Sequence, residues 1–393
     1  MLASLTSKQL TQYIDSEAVF TALEEARDAA KPFVGTLFWR EVKGHHYLVR
    51  AVTANQQKSL GAKSPQNANA VDKFSQAKGE AESRVKSLTA QLAVHQKINK
   101  ALRVGRAPSI LIDTLNVIKD AGLEEHFVVI GTHALYAYET AASVRIPNDA
   151  LATQDIDLLF DTRKRVKFFS TLKTMDVSFL AVLQRADKTF RMRDDQLYTA
   201  VNDKGFEVDV VRRMAGNDDP HPLRLSDHED DFWAVQIETG NKLLGARPFT
   251  QTIVSSTGTM ARMNTVHPLD FARIKQALGA SHSRETTKAQ KDLLQAKIVR
   301  DLVREHLPHL WDQTRENHET EESKAGLKGL YSGKILDISD GLVTQRISRD
   351  GTTVVHKMSA LTSAVVSGQI ADITYADGVG VVWNKGTSRE RGT

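Results

Sequence analysis

The chain contains no cysteine. That absence excludes disulfide scaffolds, thiolate-ligated zinc, iron–sulfur clusters and cysteine nucleophiles, and it fits a reducing compartment. No run approaches the roughly 18 consecutive apolar residues of a membrane helix, so no span is expected. The first residues, MLASLTSKQLTQYIDSEAVF, soon turn polar and acidic and lack the apolar core of a signal peptide. A cytoplasmic protein without membrane contact is the expectation. No P-loop, G-x-G-x-x-G turn or Ser/His/Asp arrangement is evident, and there is no tandem repeat.

What remains is ordinary globular material. The chain has 393 residues, 25% of them charged and 41% hydrophobic. At about 100–200 residues per domain, that length implies two or three domains. The formal net charge is only +4. It is unevenly spread. Residues 1–106 hold sixteen lysines and arginines against nine acids, a surplus of seven. Such a segment is either a solvated surface or a face for a polyanion such as a nucleotide or nucleic acid.

Composition and periodicity divide the chain. A basic region over 1–104 begins helical (5–31) and continues as a hairpin over 33–53 that turns at Lys43-Gly44. An exposed loop is expected over 54–69, then a long polar helix over 71–104. The core is expected over 105–310, with strands at 126–130, 155–160 and 205–211 and helices at 163–175 and 268–306. Strands alternating with helices argue an α/β (α+β) fold with a mixed sheet and flanking helices. A polar linker is expected over 311–330, a small all-β module over 331–383 and a disordered tail over 384–393.

Three acidic positions stand out. Asp155 and Asp157 lie in the apolar run DIDLLF, and Asp209 lies in FEVDVV. Alternate residues of a strand share a face. The aspartates therefore point one way, while Ile156, Leu158, Phe160, Val208 and Val210 point into the core. If the strands are neighbours, three carboxylates converge. Like charges that converge need a cation. Oxygen-only ligands favour Mg²⁺ or Mn²⁺, and two such ions can assist an in-line phosphoryl displacement. A turn at Gly131-Thr132, after the first strand, would let backbone N–H groups approach phosphate. An Asp-x-Asp pair alone also fits a solvated edge strand.

These residues, in this order, resemble the nucleotidyltransferase fold of the DNA polymerase β superfamily. The closer resemblance is to a bacterial family of nucleotidyltransferase-fold proteins, carried by GRAP (105–108), VIGTHALYAYETAASVR (129–145), LATQDIDLLFD (151–161), DKTF (187–190), FEVDVVR (206–212) and HPLDFARIKQALGA (267–280). The resemblance implies Asp155 and Asp157 as paired metal ligands. It implies Asp209 as a third ligand that helps deprotonate an acceptor hydroxyl. It places Gly131 and Thr132 at the phosphate-binding turn and Lys275 near the triphosphate. Arg145 and Thr153 would brace the strand or the nucleotide. The superfamily more often has Gly-Ser than Gly-Thr at the turn. The implied reaction moves an NMP from an NTP to a protein, a tRNA or a small molecule and releases pyrophosphate. Residues 331–383 resemble the KfrB-type module of plasmid-encoded proteins, through Gly333, Gln345, His356, Leu361, Gly368, Ile373, Tyr375 and Gly378. The alternative is a non-catalytic, plasmid-maintenance protein that contacts nucleic acid through its basic N-terminal region.

Other polar groups read as structural. His45-His46 is a surface pair, and the acidic turn 227–231 is a solvated loop. Lys288, Lys291 and Asp292 form a salt-bridged helix face behind Arg284, a face that also has the reach to touch nucleotide or acceptor.

Overall fold

The computed structural model describes residues 2–53, 56–216, 219–281, 284–311, 329–339, 341–347, 353–376 and 379–384. The chain separates into two compact units, Met1–Pro308 and His309–Thr393. The expected linker lies almost wholly outside the described residues, and so does the expected tail. Among the described residues no helix is long and apolar enough to cross a membrane.

A mixed sheet carries the larger unit. Its strands run in the order Phe127–Ile130, Asp155–Phe160, Glu207–Arg213, Thr199–Val201, Arg191–Met192, and Val235–Ile237 also pairs with Glu207–Arg213. Asp155–Phe160 and Glu207–Arg213 are parallel neighbours. Their alternate residues Ile156, Leu158, Phe160, Val208 and Val210 are completely buried. Below them lies an aromatic layer. Phe127 stacks on Phe179 at 4.9 Å, and Phe160 meets Phe168 at 4.7 Å. Rings at such spacings add favourable quadrupole contacts to their burial. Phe168 comes from the helix Arg165–Met175 and Phe179 from the short helix Phe179–Leu183.

The acidic turn is not wholly solvated. Asp231 is buried, and its carboxylate accepts the Phe179 and Leu180 N–H groups at 2.8 and 3.1 Å. It satisfies donors that open the Phe179–Leu183 helix, a need that no local pattern displays.

The N-terminal helix Ser7–Ala30 packs along the 38-residue helix Pro65–Leu102. Tyr13, Phe20, Leu23, Leu92 and Val104 form one cluster with Val254 and Met260 of the hairpin Pro248–Val254/Met260–Val266. The basic region is thereby seated on the core. Two expectations fail here. The hairpin Thr36–Val42/His45–Thr53 gains a third strand, Gln56–Ala62, where a loop was expected. Backbone pairing to a neighbouring strand does not require apolar side chains, so the polar run QQKSLGA gave no warning. The long helix then starts at Pro65 rather than Val71, because Ser64 caps it and proline suits the first turn. The helical tail consists of two helices, Pro268–Gly279 and Thr286–His306.

The smaller unit is an antiparallel sheet in the order Thr353–Lys357, Leu342–Arg346, Gly329–Ser339, Ile370–Ala376, Val379–Asn384. Ile335, Val343, Val365, Ala371, Ile373 and Tyr375 form its core.

Candidate active site

The parallel register sets Asp157 directly beside Asp209, and Asp155 beside Glu207. Carboxylate oxygens of Asp155, Asp157 and Asp209 all lie within 4.8 Å of one another. Glu207 shares their face but is drawn off by Arg193, whose Nη1 donates to it at 2.6 Å. Three acids, not four, are therefore left to converge. Thr153 donates its hydroxyl to Asp155, and the Thr199 hydroxyl donates to Asp209 at 2.6 Å.

Burial and mutual repulsion leave an electrostatic mark. Desolvation, and then the charges of Asp155 and Asp209, push the Asp157 carboxyl up to about 7. Desolvation also raises Asp209, against the opposing hydrogen bond from Thr199. Carboxylates held this way gain when a divalent cation neutralises them. Hard oxygen donors at this spacing suit Mg²⁺ or Mn²⁺.

Gly131 ends the first strand beside this cluster. Its φ is +68°, and a Cβ there would sit 2.1 Å from Asp157 Oδ2. No side chain fits between the turn and the carboxylate. Thr132 is buried, and its hydroxyl accepts from Gln295 Nε2 at 3.1 Å. The same Nε2 donates to the Ala150 carbonyl at 2.7 Å. The Thr132 hydroxyl thus ties the turn to the Thr286–His306 helix. His133 follows, fully buried, with Nδ1 2.8 Å from the Asp155 carbonyl. A carbonyl only accepts, so Nδ1 carries the proton. Burial drives the His133 imidazole down to about 4, so it stays neutral. It pins the backbone of a metal-ligand candidate. The pattern of the sequence did not single out His133 or Gln295. Their only signal was adjacency: one follows the Gly-Thr turn, and the other lies one helical turn after Lys291 and Asp292.

A cavity of about 360 Å³ opens beside the cluster. Gly131 and Asp157 line one part of it; Lys275 and Arg284 supply cations; Phe271, Ile274 and Leu278 give apolar wall. Lys275 Nζ lies 2.6 Å from Asp292, which also takes Arg284. Lys291 donates to the Ala152 carbonyl at 2.7 Å.

Arg145 is elsewhere. Its guanidinium binds Glu139 at 3.1 Å and the carbonyls of Arg103 and Val104 at 2.7 and 2.8 Å. Arg106 and the Ile146 N–H also engage Glu139, a buried carboxylate. Arg145 thus closes a brace between the end of the long helix and the segment before Asp155. None of its hydrogen bonds reaches the aspartates. Of the two expectations for Arg145, bracing the strand or the nucleotide, these contacts are of the first kind, since a buried Glu139 demands its cations.

A nucleotidyltransferase family model matches residues 110–318, more than half of the chain. The chain belongs to a nucleotidyltransferase family. The matched span contains all three aspartates, the Gly131 turn and Lys275. A KfrB domain model matches residues 330–383 of the same chain. No curated protein and no solved structure matches it.

Proposed function

We propose that this nucleotidyltransferase moves an NMP from an NTP to an acceptor hydroxyl, on a protein, a tRNA or a small molecule, with pyrophosphate as the leaving group. The observation that carries the reading is the convergence of Asp155, Asp157 and Asp209 beside a cavity walled by Gly131 and cations. These carboxylates would hold Mg²⁺ or Mn²⁺, which when bound supplies charge neutralisation at the reacting phosphate.

The chain's own residues then divide the work. Asp209, raised by burial and oriented by Thr199, is placed to take the proton of the attacking hydroxyl. The missing Cβ at Gly131 lets the turn lie against the Asp157 carboxylate, at the wall of the cavity that would take the phosphates. Lys275 and Arg284 face the charge that builds up on the leaving pyrophosphate. His133 and Gln295 hold strand and turn in register. The apolar wall of Phe271, Ile274 and Leu278 excludes water from one side of the cavity.

The test is transfer from NTPs labelled at the α-phosphate, with cell extract as the source of acceptor and with and without Mg²⁺. Metal-dependent labelling of protein, RNA or a small molecule identifies the acceptor class. Salt-dependent nucleic-acid binding without any labelling sinks the catalytic reading in favour of a scaffold.

A further inference from the structure

We propose that Asp292 is a positioning residue for the phosphate chain: it holds Lys275 and Arg284 side by side at the cavity that Asp157 and Gly131 line. The inference rests on the nucleotidyltransferase reading and extends it to the phosphates beyond the one attacked.

Three observations carry it. Asp292 is 2% exposed, so its charge has been taken out of water. Its two oxygens are divided between two cations from different segments. Oδ1 takes Lys275 of the Pro268–Gly279 helix at 2.6 Å, and Oδ2 takes Arg284 Nε and Nη2 at 3.0 and 2.9 Å. Both cations also line the cavity beside Asp157.

A buried carboxylate with two cations is a poor device for stability, because desolvation consumes most of the Coulomb gain. It is a good device for order. An unrestrained lysine has four rotatable bonds to freeze on binding an anion. Asp292 freezes them beforehand, and the group of three keeps a net positive charge. An ammonium has three N–H donors and a guanidinium five. Both keep donors beyond those Asp292 occupies. A triphosphate is long enough to meet them from the carboxylate site, whereas a single phosphate engages fewer. The expected signature is therefore a dependence of affinity on the length of the phosphate chain.

Calorimetry on the full chain with Mg²⁺ measures this, using inorganic tripolyphosphate and orthophosphate as probes. Wild type is expected to bind tripolyphosphate at least about 100-fold more tightly, as several charge-assisted hydrogen bonds imply. D292N should weaken tripolyphosphate about tenfold or more and orthophosphate less than about twofold, with D292E restoring most of the preference. Adding K275M to D292N should cost little beyond K275M alone, because the two act as one unit. Equal loss for both anions, or a preference undiminished in D292N, overturns the assignment of Asp292 alone. No preference in wild type overturns it together with the nucleotidyltransferase reading. If D292N does not fold, R284M reads the same subsite, and an unchanged tripolyphosphate affinity there also overturns the proposal.

Discussion

Each of the two units of this protein holds a cluster of polar groups within an apolar sheet, and the two clusters are built on opposite principles. In the C-terminal module, Gln345 Nε2 donates to the carbonyls of Gly333 and Ala371, at 3.2 and 2.7 Å. Its Oε1 is therefore left to accept from His356 Nε2 at 2.9 Å. His356 Nδ1 then accepts from the Tyr375 hydroxyl at 3.1 Å, with the two rings nearly parallel. Gln345 and His356 are fully buried, and each donor meets an acceptor. The carboxylate cluster of the larger unit is the reverse. Asp155, Asp157 and Asp209 are acceptors facing acceptors, each half-buried, and Asp157 lines a cavity. A closed network specifies a fold, whereas an unbalanced one asks for a ligand.

The largest expected effect separates the two by function. Asp157→Asn or Asp209→Asn should lower nucleotide transfer by about 1,000-fold or more, since each removes charge from the metal and proton-accepting set. His356→Leu should leave transfer by the larger unit unchanged. Labelled-NTP turnover on all three variants checks this; a His356→Leu protein as inactive as Asp157→Asn erases the distinction.

Stability should divide them the other way. His356→Leu strands the Gln345 Oε1 and the Tyr375 hydroxyl, so the module should lose roughly 2–4 kcal/mol. Asp157→Asn relieves repulsion, and the metal-free larger unit should become more stable. Urea titration with hydrogen exchange resolved by segment reads both units, and a destabilised metal-free Asp157→Asn would contradict the repulsive picture.

Acid should then act on the two clusters with opposite sign. Burial lowers the His356 imidazole to about 4. The unfolded histidine, near 6.5, binds its proton first. The module's stability is thus present above about pH 6.5 and lost toward pH 4, by on the order of 2–3 kcal/mol. Asp157 is raised to about 7, so the folded chain holds that proton while the unfolded chain has released it. Metal-free stability of the larger unit therefore falls as pH rises from about 4 to 7, and Mg²⁺ should restore it at neutral pH. Hydrogen exchange across that range with and without Mg²⁺ measures both slopes; parallel slopes would refute the contrast.

The smallest effect concerns two cations. Arg145→Lys should cost about 1–2 kcal/mol by loosening the brace on Glu139. It should change NTP affinity less than about twofold, whereas Lys275→Met should weaken it tenfold or more. Equal effects on affinity would return Arg145 to the nucleotide.

Much of this was legible in the sequence, for a physical reason. A strand's period of two makes an aspartate inside an apolar run conspicuous, so Asp155, Asp157 and Asp209 were readable one by one. Their register, Asp209 beside Asp157, was not, because pairing is a property of two distant segments. The resemblance marked Lys275, which lines the cavity, but its attachment to Asp292 needed the packing of two helices. For Arg145 the sequence left strand and nucleotide both open, because an arginine before such a strand looks alike whether it meets a phosphate or a buried Glu139. Gln56–Ala62 was missed because hydrogen bonding to a neighbour, not side-chain character, makes it a strand.

The parallel pairing of Asp155–Phe160 with Glu207–Arg213 has a consequence in time as well as in space. Bringing Asp157 to Asp209 closes a loop of about 50 residues, and such closures come late because their entropy must be lost before any contact repays it. During synthesis the first two aspartates emerge well before the third. A nascent chain that has not yet exposed Glu207–Arg213 carries two of the three carboxylates. A cation that bound only the finished register would act as a latch on it.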